Sequence, residues 1–206
     1  MSIQIYKIYP RLFGANSYIL TKDGQNAVVI DPSGTRVLDE LNKRNLIPAY
    51  VLLTHSHFDH IGGVPALTAL GAKVVCAKKE LPVFGTTAQM GITYGYPKFD
   101  LTADVTLVDG EKICLAGIEF SVVETPGHTV GSVCYLLEED RVMFSGDTLF
   151  EGSVGRTDLP TGSSSQMRES LRKLKNLSGD YTVYCGHGED TSLNIERVTN
   201  PFLIDA

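Results

Sequence analysis

The sequence predicts one α/β domain, and three observations carry that expectation. Short apolar runs rich in Val and Ile recur along the chain and are bounded by turn residues. Two other segments space their apolar residues for a helix face. No repeat, low-complexity run or linker divides the 206 residues, a length that suits one large core. Apolar content of 43% and charged content of 20% are ordinary for a globular fold.

In chain order, Ile3, Ile5 and Ile8 alternate as in a strand, residues 17–20 form a second, and 27–30 a third that runs into the Asp31-Pro32 turn signal. Val37, Leu38 and Leu41 share one helical face, and 49–53 reads as a compact strand. Pro65 suits a first helical turn and Gly71 a stop, which predicts a short helix over 64–70. Residues 74–76 read as a strand. The segment 85–102, with its glycines, Tyr94, Tyr96 and Pro97, is irregular and long for a bare connection. The two tyrosines alternate with Gly95 and suit a pocket wall, although a surface loop fits the same residues. Strands resume at 105–108, 118–123, 133–137 and 142–144. Met167, Leu171, Leu174 and Leu177 mark an amphipathic helix, 182–185 a late strand, and 192–198 a final helix with Thr191 as its cap.

A net charge of -6 argues against nucleic acid or an acidic membrane as partner. The basic cluster Arg168, Arg172, Lys173 and Lys175 reads as the solvated face of the amphipathic helix. The start, Met1-Ser2-Ile3-Gln4, lacks the charged and apolar regions of a signal peptide, and no run approaches the ~18 apolar residues of a membrane span. Cys76, Cys114, Cys134 and Cys185 show no C-x-x-C spacing, so buried reduced thiols and a cytoplasmic location are expected.

The chemistry concentrates in Thr54-His55-Ser56-His57-Phe58-Asp59-His60. His55 and His57 leave a strand two residues apart, so they point the same way and can converge on one ion. Asp59 and His60 follow as the backbone turns and can aim at a second point. Imidazole with carboxylate suits zinc, iron or manganese rather than calcium or magnesium. Three later blocks end a strand-like run with a ligand-type residue beside glycine: Gly127-His128, Gly146-Asp147 and Gly186-His187. All five histidines of the chain fall in these four blocks. Each block alone is weak, because a single histidine is more often a hydrogen-bonded one; together they predict a metal centre on strand-end loops.

H-x-H-x-D-H, followed by His128, Asp147 and His187 in that order, resembles the metallo-β-lactamase superfamily. The glyoxalase II (hydroxyacylglutathione hydrolase) branch is the nearest match, especially its short bacterial members. The resemblance implies a four-layer αβ/βα sandwich with the metals at one edge. It implies that His55, His57 and His128 bind one divalent ion, that Asp59, His60 and His187 bind another, and that Asp147 bridges them. Zinc is the first expectation, with iron or manganese as alternatives. Two ions ~3.5–4 Å apart can share a hydroxide that attacks the acyl carbon of a small-molecule thioester, with Asp59 orienting it. The same resemblance implies that antibiotic hydrolysis is not the native role, since true β-lactamases of this fold carry a cysteine at the position of Asp147.

In the glyoxalase branch a basic residue and often an aromatic hold glutathione in the segment matching 152–158. Arg156 takes the basic position and could clamp a substrate carboxylate through its planar fork. Asp158 stands where the aromatic can be, so a salt bridge between Arg156 and Asp158 is the competing reading. The chief rival activity is that of a persulfide dioxygenase of the same superfamily, holding one iron at His55, His128 and Asp147. Cleavage of another ester, a lactone or a phosphodiester is a further alternative. Cys185, two residues before His187, is not needed as a nucleophile.

Overall fold

The computed structural model describes residues 2–10, 14–96 and 98–206. Met1 of the N-terminal reading and Pro97 of the irregular segment lie outside the described residues. The first half of the chain builds one six-stranded sheet in sequential order: β1 (Gln4–Ile8), β2 (Ser17–Thr21), β3 (Asn26–Ile30), β4 (Ile47–Leu53), β5 (Lys73–Ala77) and β6 (Val105–Leu107). The second half builds another, in the order β14-β13-β10-β9-β8-β7, from β7 (Lys112–Leu115), β8 (Ile118–Glu124), β9 (Val133–Leu137), β10 (Val142–Gly146), β13 (Thr182–Cys185) and β14 (Thr191–Ser192). A small hairpin of β11 (Leu149–Phe150) and β12 (Ser153–Val154) leaves the edge after β10.

Strand alternation places one side-chain set between the sheets and the other beneath helices. Tyr18, Leu20, Val28, Ile30 and Leu52 of the first sheet meet Phe120, Val122, Tyr135 and Phe144 of the second in one buried cluster. On the outer face of the first sheet, Ile19, Val29, Val51 and Leu53 pack under α1 (Arg36–Lys43), α2 (Phe58–Ile61) and α3 (Val64–Thr68). On the outer face of the second, Cys134, Leu136, Met143 and Val183 pack under α4 (Ser164–Lys175), α5 (Leu193–Thr199) and α6 (Pro201–Ile204). The result is the expected αβ/βα sandwich.

The strands expected from the sequence are present within a residue or two, and β7 is an addition to them. It is an edge strand of four residues, bonded only to β8 and half exposed, so its apolar signal is diluted. Cys114 lies on it and is exposed, which corrects the expectation that all the thiols are buried; Cys76, Cys134 and Cys185 are. The final helix is capped by Ser192, whose hydroxyl accepts from the Ile195 amide at 3.3 Å, and not by Thr191. Thr191 instead pairs in β14 and donates to Glu196 at 2.7 Å. The irregular segment is punctuated by two single 3-10 turns, Thr87–Gln89 and Ile92–Tyr94. The basic face of α4 is partly paired internally, Arg172 with Glu169 and Lys173 with Asp109.

Strand direction determines where the loops of the two sheets gather. β3, β4 and β5 run parallel, as do β10 and β13, and β8 shares their direction through the antiparallel β9. The carboxyl ends of these strands therefore open on a common edge of each sheet. A backbone bond from Val133 to the Thr54 carbonyl, 3.0 Å, joins the two edges.

Candidate metal centre

Every block singled out in the sequence leaves one of those carboxyl ends. Residues 54–60 follow β4, His128 follows β8, Asp147 follows β10 and His187 follows β13. Ligand-type atoms of His55, His57 and His128 lie within 4.8 Å of one another, and so do those of Asp59, His60 and His187. His57 Nδ1 and His128 Nε2 face each other at 2.8 Å. Asp147 stands between the two groups: Oδ1 is 3.3 Å from His60 Nε2, and Oδ2 is 3.4 Å from both His128 Nε2 and His187 Nε2. His187 Nε2 also reaches Asp59 Oδ2 at 3.2 Å.

Electrostatics shows what the cluster is suited to hold. Burial, with His128 alongside, pushes the His57 imidazole down to about 3, and burial holds His55 well below the ordinary histidine value. Burial would raise Asp147, but His60 and His187 hold its carboxyl well below the usual range. His55 and His57 are thus neutral and Asp147 ionised, as a cation requires of its ligands. Against their burial, the neighbouring carboxylates hold His60 well above the ordinary histidine value and His187 up at about 9, protons that a cation would replace. The side-chain atoms His55 Nε2, His57 Nε2, His60 Nε2 and Asp147 Oδ1 are buried without a hydrogen-bond partner. Buried polar atoms almost always find partners, and unpartnered lone-pair atoms on residues of one buried His/Asp cluster fit a cation as the missing partner. The donor set thus fits one or two divalent metals.

Outer contacts orient the rings. His128 Nδ1 donates to the Arg156 carbonyl at 2.8 Å, and His60 Nδ1 to Asp31 Oδ2 at 2.9 Å. Asp31 also accepts from the Thr54 amide and hydroxyl at 2.8 and 2.6 Å. Such partners fix tautomer and ring angle. The sequence marks Asp31 only as a turn residue; its place at the carboxyl end of β3, beside the histidine-bearing end of β4, is the signal that distinguishes it. Two glycines let the backbone in. A Cβ at Gly186 would lie 2.2 Å from Asp147 Oδ1, and Gly146, at φ +49°, packs on Thr54.

A cavity of about 670 Å³ opens onto the centre, lined by His57, Asp59, His128, Asp147 and His187 and walled by Phe58, Met90, Tyr94, Phe150 and Leu159. Tyr94 is thus in the wall, stacked 5.2 Å from Phe58. Tyr96 packs 4.8 Å from the same ring but lines a separate hollow with Tyr9 and Arg36, so it stands one ring away from the cavity. Arg156 is at the cavity mouth, where its fork grips Asp158 through two bonds of 2.7 Å. Cys185 packs in the outer core of the second sheet, with burial pushing its thiol up to about 12, which suits no nucleophile.

Paired sheets with a His/Asp cluster at their shared edge define a metal-dependent enzyme of the sandwich class. The chain belongs to the metallo-β-lactamase superfamily, whose family model matches residues 10–187. It is 33% identical over 210 residues to the hydroxyacylglutathione hydrolase GloC of Haemophilus influenzae, covering 98% of each chain. Among solved structures it is similar to the BLEG-1 B3 metallo-β-lactamase, with TM-score 0.90 and 35% identity over 97% of this chain and 99% of that one. It is also similar to TTHA1623 in a di-iron-bound form, with TM-score 0.85 and 36% identity over 96% of this chain and 99% of that one.

Proposed function

We propose that the chain is a two-metal hydrolase that cleaves a small-molecule thioester of the hydroxyacylglutathione kind. The observation that carries this reading is the pair of ligand groups, His55/His57/His128 and Asp59/His60/His187, with the Asp147 carboxylate in reach of both. The similarity to GloC supports the substrate class, and the di-iron relative supports two ions. Zinc is our first choice, with iron or manganese as alternatives. Two divalent ions held there would supply an activated water and polarise the acyl oxygen.

The chain's own residues do the rest. Asp59 lines the cavity and is placed to orient the attacking water. Phe58, Tyr94 and Phe150 give the cavity an apolar wall against which the acyl and thiol carbons would rest. Arg156 offers a cation at the mouth for a substrate carboxylate. The buried thiols Cys76, Cys134 and Cys185 suit a reducing compartment, which we take to be the cytoplasm. Among the described residues no helix is long and apolar enough to cross a membrane.

The test is a hydrolysis screen of thioesters and lactones, with a β-lactam added because of the B3 relative, on protein of measured metal content. We expect two ions per chain and fastest cleavage of thioesters. One iron per chain, persulfide-dependent oxygen uptake and intact thioesters would replace this reading with the dioxygenase one.

A further inference from the structure

Glu80 is fully buried on the 3-10 turn Lys78–Val83 that follows β5. Its Oε1 accepts from the Ser56 amide at 2.8 Å and the Ser56 hydroxyl at 2.7 Å. Its Oε2 accepts from the Thr129 hydroxyl at 2.8 Å and the Gly131 amide at 3.1 Å. Ser56 lies between His55 and His57, and Thr129 follows His128. One carboxylate therefore spans loops from different sheets, each carrying ligands of the same group. No described cation pairs with it, for the adjacent Lys79 turns away to Glu124 at 2.6 Å. Two of the four donors are backbone N–H groups that cannot rotate away, so the cradle is built for an acceptor at both oxygens. The 128–131 loop also fits tightly against this turn: a Cβ at Gly131 would lie 2.2 Å from the Glu80 nitrogen.

We infer that Glu80 is a positioning residue that clamps the two loops together and sets the His57–His128 spacing of the first metal site. This rests on the metal-centre reading above. Metal ligands need distances held to about ±0.2 Å, and packing between two sheets does not by itself hold loops that closely. Glu80 touches none of the ligand side chains; it acts through the backbone and hydroxyls beside them.

The experiment strips the protein with a chelator and titrates zinc against a chromophoric competitor. Glu80→Gln keeps the volume but turns an NH₂ donor toward donors. It should weaken one binding step about 10–100-fold, the loss typical of an outer partner. That step should be the one His57→Ala abolishes, with the other unchanged. Thr129→Val removes a single donor and should weaken the same step by less. Leu174→Ala, in the remote outer core, provides the control: it should lower the melting temperature and move neither step. If Glu80→Gln leaves both steps at wild-type affinity, or weakens both equally as its melting temperature falls, the positioning role is wrong. Should Glu80→Gln fail to fold, Thr129→Val and Ser56→Ala decide by the same criterion. A wild-type chain that takes up no ion would overturn the metal-centre reading itself.

Discussion

At the scale of the residue, Asp147 and Arg156 separate what the centre needs from what its mouth selects. Asp147 is within 3.4 Å of histidines from both ligand groups, so its loss removes a contact from each. Asp147→Ala should therefore cost more activity than the ~10–100-fold typical of an outer partner, and more than loss of a ligand to one group. Turnover at measured metal loading checks this; near wild-type turnover at two ions per chain would end the bridging role. Arg156 is of a different kind. Its guanidinium and the Asp158 carboxylate are 56% and 68% exposed, so their pair is a weak surface bridge and not a buried strut. A substrate carboxylate can displace Asp158 at little cost. Arg156→Lys keeps the charge and loses the fork, and should raise KM several-fold for an anionic thioester, spare a neutral one, and leave the melting temperature unchanged. Equal losses on both substrates would retire the clamp.

At the scale of the element, the centre is a consequence of strand direction. Candidate ligands 127 residues apart, His60 and His187, come together with ring centroids 5.5 Å apart because the strands before them open on the same edge of the sandwich. Much of this was legible in the sequence, since a fully buried strand such as Val133–Leu137 shows as an unbroken apolar run, and Ser17–Thr21 shows through its apolar centre Tyr18-Ile19-Leu20. The candidate ligands were legible for a related reason: glycine must stand beside them where backbone and carboxylate crowd, as at Gly186 against Asp147. The half-exposed edge strand β7 was not, nor were the two-residue strands, because they bury too little to leave a pattern. Asp31 and Glu80 escaped for a deeper reason. Nothing local distinguishes an acid that will be buried from one that will be solvated; the distinction arises only when another strand's loop arrives with donors.

At the scale of the whole molecule, the same cluster makes stability depend on pH once the ions are stripped. His57, pushed down to about 3 by burial and by His128, stays neutral when folded but takes a proton near 6.5 when unfolded. The unfolded chain then binds more protons, so stability falls as pH drops from 6.5 toward 3. His187 has the opposite sign. Burial would lower it, but hydrogen bonds to Asp147 and Asp59 outweigh burial and hold it up at about 9. Its contribution is complete below 6.5 and is lost as pH rises from 6.5 through about 9. His60, raised by Asp147 and Asp31 against its burial, acts in the same direction. The metal-free protein should therefore melt highest near pH 6.5 and lower on either side. In that state the His187 proton is what balances two carboxylates; a cation among them makes the proton unnecessary. Reloading with zinc should accordingly abolish the alkaline fall between pH 6.5 and 9. Thermal melts across that range, with and without metal, decide the matter. A metal-free melting temperature that holds level or climbs from 6.5 to 9 would mean that the His187–Asp59–Asp147 network does not hold this edge together.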